Sequence, residues 1–362
     1  VKREGTLRES NTGEWKWPFS LADLTAGMRR MLEDTSVTIG RVTPLPMPSR
    51  RPAIGRLRAL EVEYFLGDES STCLLVVKEP RGTTRTGLAG AGRREVGVYQ
   101  SLADHFPVEV PRLIAASPVG DWLLMQTFES VREPQDWRKA DYRKAIEALV
   151  DLHDRFWGLG SDFDAFPWLG RPLSADFEVH VAAAEKAIER ALRQGEPELL
   201  IGVQERMQLL RALTKNADRV ISPLRQEPAT LLHGDYWPGN IAILEDGRQI
   251  VYDWQLASVG AGIMDLLLFV NKSVWWFDPL PTDQEEIVAW YRQDLEKQCG
   301  ACWNDEEWGV LWDHALMWRF LQEWVDLLAA SPESLLEARA EQLDEVWLHP
   351  VAEAVARRLS GS

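Results

Sequence analysis

The stretch LLHGDYWPGN (231–240) sets a histidine, an aspartate and an asparagine among apolar, aromatic, Gly and Pro residues, and Asp253 closes the nearby run QIVYD. Asp235 and Asn240 stand five residues apart on a turn held by Pro238 and Gly239. Two carboxylates and an amide brought together in this way suit phosphoryl transfer. Asp235 is the candidate base, orienting an attacking hydroxyl and accepting its proton. Asn240 and Asp253 are the candidate ligands for Mg2+ on the nucleotide phosphates, because a hard cation prefers carboxylate and amide oxygen.

A second constellation lies earlier. Lys78 ends the apolar run TCLLVVKE, where an unpaired ammonium would be costly, and Glu95 opens a helical pattern after a loop. A Lys78–Glu95 ion pair is the simplest remedy. A strand-end lysine reaching solvent is the alternative.

These residues resemble a known family, the aminoglycoside phosphotransferase and choline kinase-like small-molecule kinases. HGDYWPGN is similar to its HGDxxxxN catalytic loop and YDWQ to its metal segment. Asp265 in MDLLLF, the helix LVDLHDRFW (149–157), and VVK followed by REVGVY match further family elements in order. The likeness runs from about Val37 to Val270. It implies ATP and Mg2+ as cofactors, Lys78 on the α and β phosphates with Glu95 holding it, and a hinge at Leu123–Phe128. There Met125 would line the adenine pocket, and the backbone of Gln126 and Phe128 would meet the base. Two departures stand out. No GxGxxG joins the first two strands; the connection is TPLPMPSRRPAIGR, whose Ser49, Arg50 and Arg51 either close over phosphates or are simply solvated. Gln255 stands where many aminoglycoside kinases have Glu, which is more like the ecdysteroid kinase-like branch.

The elements that must position these residues change character near residue 130. Strand-like runs come first: VTIGRV (37–42), LRALEVEYFL (57–66), TCLLVVKE (72–79) and WLLMQTF (122–128). Helical periodicity then dominates, over Lys139–Trp157, Ser174–Arg193, Pro197–Val220, Gln284–Gln298, Glu306–Leu328 and Pro332–Arg358. One hairpin interrupts it, IAIL and QIVYD around an Asp-Gly turn. The Gly/Thr/Arg-rich stretch RGTTRTGLAGAGR (81–93) reads as a mobile loop. The expectation is an α+β, protein kinase-like two-lobed fold: a helical extension (1–36), a mostly β N-lobe (37–128) that binds nucleotide, and a mostly helical C-lobe (129–362) with the catalytic loop, metal and acceptor site.

Composition narrows the partners. A net charge of −16 is the wrong sign for general nucleic-acid affinity. The longest apolar candidate, Ile263–Val270, is too short to span a membrane and contains Asp265. The opening VKREGTLRES lacks the apolar core of a signal peptide, so a cytoplasmic protein is expected. Three cysteines build no disulfide framework, and Cys299 and Cys302 have no partner pair nearby for zinc. Oligomeric state is left open.

The partner expected is a small-molecule hydroxyl acceptor. Choline, homoserine, a thiosugar, a sterol or a protein side chain are alternatives to an aminoglycoside. A pseudokinase is the rival reading, opposed by the presence of Lys78, Glu95, Asp235, Asn240 and Asp253 together. Residues 1–128 hold 17 basic and 15 acidic residues and 129–362 hold 23 and 41, so the acidic half would suit a cationic acceptor, or would serve only solubility. Asp265, in an otherwise apolar helix, is expected to accept hydrogen bonds from the 233–235 backbone, and His153 and His233 to be structural. Trp275 and Trp276 are candidates to wall an acceptor pocket.

Overall fold

The computed structural model describes residues 17–46, 55–80 and 89–359. Ser49, Arg50 and Arg51 lie outside these, as does most of RGTTRTGLAGAGR. The chain divides into two compact units. The first takes in the described residues through Pro80 with Gly90–Ala103 and Pro111–Phe128, and the second Asp104–Val110 and everything from Glu129 onward.

The first unit is an antiparallel sheet with helices. Its strands β1 (Thr38–Leu45), β2 (Arg56–Leu66), β3 (Glu69–Glu79), β4 (Leu113–Ala116) and β5 (Leu123–Gln126) lie in the order β1-β2-β3-β5-β4. β2 and β3 pair along their whole lengths across the two-residue turn Gly67-Asp68, where Gly67 has φ 62°. β4, with the sequence LIAA, carries no alternation and was not legible as a strand. Helix α1 (Leu21–Met31) starts on a capping box in which Ser20 and Asp23 exchange hydrogen bonds. Its Leu24 and Met28 enter one core with Leu60, Val62, Leu75, Val77, Ile114 and Leu124. Gly27 lets the helix backbone approach β4: a Cβ there would stand 2.2 Å from the Ile114 carbonyl oxygen. Helix α2 (Ala91–Ser101) carries Glu95.

The second unit is mainly helical. It contains α3 (Lys139–Arg155), α4 (Phe177–Gln194), α5 (Glu198–Ile201), α6 (Gln204–Lys215), α7 (Ala217–Gln226), α8 (Ile263–Phe277), α9 (Gln284–Cys299) and α10 (Asp305–Arg319). The helix expected over Pro197–Val220 is broken at Gly202 and again at Asn216, whose side chain caps Ala212 O at 2.8 Å. α10 runs into a π-helical turn, Phe320–Trp324, before Val325–Ala330 resumes the α geometry. Two short pairs sit among the helices: β6 (Thr230–Leu232) with β9 (Ser258–Gly260), and β7 (Ile241–Ile243) with β8 (Gln249–Val251). α8 is buried from Ile263 through Asn271, which accounts for its apolar run. No described helix is long and apolar enough to cross a membrane.

Candidate active site

In the first unit, β3 delivers Lys78 between Leu57 of β2 and Leu123 of β5. Its Nζ meets Glu95 Oε1 at 2.9 Å and Oε2 at 2.7 Å. Both side chains are sealed from water, so each makes the other's charge tolerable. Met125 on β5 is buried, and the Gln126 amide donates to Arg112 O at 3.0 Å.

In the second unit, β6 leads into His233 and the chain turns sharply at Gly234, whose φ is 81°. A side chain at Gly234 would collide with Leu256 O, its Cβ at 2.0 Å, so the turn admits only glycine. Asp265 of α8 holds this turn as expected: it accepts from His233 N at 2.7 Å and Gly234 N at 3.0 Å. Burial alone would raise the Asp265 carboxyl, but the hydrogen bond and charge of His153, with the charges of His233 and Arg319, bring it below the ordinary carboxylate value. His153 of α3 is a core residue tied to Tyr291 at 2.7 Å. His233 Nδ1 accepts from Asp235 N at 3.2 Å, so its proton sits on Nε2, which donates to Tyr252 O at 3.0 Å. Burial, opposed by Asp265 and Asp235, holds His233 below the usual histidine value. A neutral brace is the result. Trp254 packs on this imidazole with ring centroids 4.5 Å apart, linking the Asp253 segment to the loop.

Asp235 stands at the tip of the turn. Asn240 Nδ2 donates to its Oδ2 at 3.0 Å and to its backbone oxygen at 2.9 Å, while Lys272 of α8 forms an ion pair with Oδ1. Tyr252 N donates to Asn240 O at 3.0 Å, so the ends of the β7–β8 hairpin carry Asn240 and Asp253 on neighbouring chains. Asp253 adopts the left-handed conformation, φ 68° and ψ 56°, which a non-glycine residue holds at a cost of about 1–3 kcal/mol. Among the described residues no cluster of three or more His, Cys, Asp or Glu side chains could hold a metal. One amide oxygen and one carboxylate nevertheless fit Mg2+, which is typically held by one or two protein oxygens with phosphate and water completing the shell.

The network around Lys272 was not read from the sequence. Lys272 Nζ lies 3.6 Å from Glu323 Oε1, and Glu323 Oε2 lies 3.5 Å from Arg319 Nη2, which also donates to Gly234 O at 2.9 Å. Burial would lower the Lys272 ammonium, but Asp235 and Glu323 outweigh it and hold its affinity for the proton above the ordinary value. A signal for Lys272 did exist: a lysine in an apolar helix, seven residues past Asp265 and therefore on the same face. Glu323 and Arg319 had none, since it is the π turn that sets where Glu323 emerges.

The model of the phosphotransferase enzyme family matches residues 59–299. The chain belongs to that family, and its activity is phosphoryl transfer. Among solved structures it is similar to the gentamicin complex of APH(2")-IIa, at 15% identity, covering 93% of this chain and 96% of that one, with a TM-score of 0.48. It is also similar to the ADP-bound aminoglycoside phosphotransferase APH(2'')-Ib, at 13% identity, 92% and 98% coverage and a TM-score of 0.46. The choline kinase LicA from Streptococcus pneumoniae gives 14%, 92% and 98%, and 0.47. No curated protein sequence matches the chain.

Proposed function

We propose that the chain transfers the γ-phosphoryl group of ATP to a small-molecule hydroxyl with Asp235 as the base. As the acceptor oxygen bonds to phosphorus and the bond to the ADP oxygen breaks, the hydroxyl proton passes to Asp235. The observation that carries this reading is the fixing of Asp235 from two sides, by Asn240 on Oδ2 and Lys272 on Oδ1, at a turn pinned by Asp265. A base so held needs little reorganisation to meet a hydroxyl. Asn240 and Asp253 would hold Mg2+, which when bound neutralises charge on the phosphates. Asn240 directs its amide nitrogen to Asp235, so its Oδ1 remains to ligate. Lys78, held by Glu95, is the cation for the α and β phosphates. Met125 packs against adenine, and the hinge backbone at Gln126 and Phe128 meets its edge, with Gln126 offering its carbonyl because its amide is engaged.

The test is ADP release with Mg2+ and ATP across amino sugars, macrolides, amino alcohols, neutral sugars and sterols. Asp235→Asn is expected to keep nucleotide affinity and lose about 10²- to 10⁴-fold in turnover. Near-wild-type turnover in that variant removes Asp235 as the base. For the metal, Asp253→Ala is expected to weaken Mg2+-dependent ATP binding far more than metal-free binding, and equal weakening of both excludes ligation.

A further inference from the structure

The planar peptide unit between Gly234 and Asp235 sets the φ of Asp235, and with it the direction in which the Asp235 side chain leaves the turn. Gly234 has φ 81° and no side chain to hinder rotation, so the unit needs outside partners to keep one orientation. Those partners lie on both of its edges. Its N–H, from Asp235, donates to His233 Nδ1 at 3.2 Å, a long bond to a neutral ring. Its carbonyl, from Gly234, accepts from Arg319 Nη2 at 2.9 Å. Asn240 and Lys272 act elsewhere, on the Asp235 carboxylate and on the peptide that follows. Arg319 is 6% exposed, and its Nη1 donates to Gln322 Oε1 at 2.8 Å, so the guanidinium is itself held. A charged donor in a dry setting makes the stronger bond of the two. Arg319 is the last residue of α10, and Gln322 and Glu323, which both meet its guanidinium, stand on the π turn that begins at Phe320. Such turns interrupt a regular helix and recur at functional sites.

We propose that Arg319 is a positioning residue for phosphoryl transfer: by holding the Gly234 carbonyl it fixes the peptide that aims Asp235 at the acceptor hydroxyl. This rests on the assignment of Asp235 as the base. Two separate grips result. Asn240 and Lys272 fix the carboxylate, while Arg319 and His233 fix the backbone from which it springs. Without Arg319 this peptide keeps one long hydrogen bond, and a buried carbonyl left without a donor favours rotation toward another partner. The glycine that permits the sharp turn is therefore the reason the clamp is needed.

The experiment compares two variants of the full chain, Arg319→Met, which keeps the stem and removes the donors, and Arg319→Lys, which keeps a cation. In amide hydrogen exchange read by mass spectrometry, Arg319→Met is expected to speed exchange over residues 233–236 about tenfold, with α3 and the β2–β3 pair unchanged and Arg319→Lys in between. Turnover is read as ADP release from ATP and Mg2+, first with water as acceptor and then with the best alcohol of the panel. Arg319→Met is expected to lose about 10- to 100-fold in turnover while its KM for ATP stays within about twofold, and Arg319→Lys to recover part of the loss. Faster exchange throughout the second unit, or a KM that rises as much as turnover falls, makes Arg319 a general support and overturns the proposal. So does wild-type turnover in Arg319→Met. Asp235→Asn separates the two readings. If it is inactive while Arg319→Met turns over normally, the base stands and this inference falls. If Asp235→Asn turns over normally, the assignment of the base falls and takes this inference with it, and the exchange measurement alone then reports whether Arg319 orders the loop.

Discussion

Lys78–Glu95 in the first unit and Lys272–Asp235 in the second are the same chemical pair put to opposite uses. In the first the carboxylate is 1% exposed and is held by a helix against a lysine at the end of a strand. On the proposed reading, Glu95 is the support and Lys78 the working group. In the second the carboxylate is 16% exposed on a loop, and the lysine comes from a buried helix with a second carboxylate, Glu323, nearby. On the proposed reading, Lys272 is here the support and Asp235 the working group. The member on the more rigid, drier element is the one that holds its partner in place.

That contrast predicts unequal costs when the carboxylates are removed. Glu95→Ala strands a buried ammonium and should lower stability by about 3–5 kcal/mol, read by denaturant unfolding, together with nucleotide affinity. A loss under 1 kcal/mol, roughly what an exposed pair is worth, would show that Lys78 reaches water and that the two pairs do not differ as described.

Asp265→Ala comes next, at about 2–4 kcal/mol, because the amides of His233 and Gly234 lose their acceptor in a dry environment. Activity should fall with it. An unchanged melting temperature with lost activity would instead put Asp265 in the chemistry.

The same group sets part of the acid limb of stability. Its folded pKa lies below the ordinary 3.8, so the ionised form favours the folded state. The stabilisation is complete above the unfolded value and is lost as pH falls through the lower folded value. Asp265→Asn should therefore flatten the fall in stability below about pH 4. An unaltered slope would mean that other carboxylates carry it.

The smallest effect is expected at Glu323. Glu323→Ala leaves Lys272 its Asp235 partner and removes a side chain with 18% exposure, so about 1 kcal/mol should be lost, with turnover reduced far less than in Asp235→Asn. A cost equal to that of Glu95→Ala would erase the distinction between the two pairs.

Much of the architecture was legible before any coordinates. β2, β3 and the β7–β8 hairpin follow from alternation and turn chemistry, and Asp235, Asn240 and Asp253 lie close enough in sequence for a turn and a hairpin to bring them together. The Lys78–Glu95 pair was accessible because a lysine at the end of an apolar strand calls for an anion, and the next helix begins with one. Asp265 was readable for the converse reason: a carboxylate in an apolar helix calls for donors. The interruptions in the long helices were not, since Gly202, Asn216 and the π turn act against a periodicity that continues across them. The full set of charges around Asp235 was not legible. Counting residues gave an acidic second half, but Lys272 reaches Asp235 across 37 positions of sequence, and Arg319 reaches Gly234 across 85. Composition measures how much charge a segment holds. Only the packing of α8 and the π turn against the 233–240 loop decides which charges meet there, because burial forces each of them to find a partner within a few ångströms.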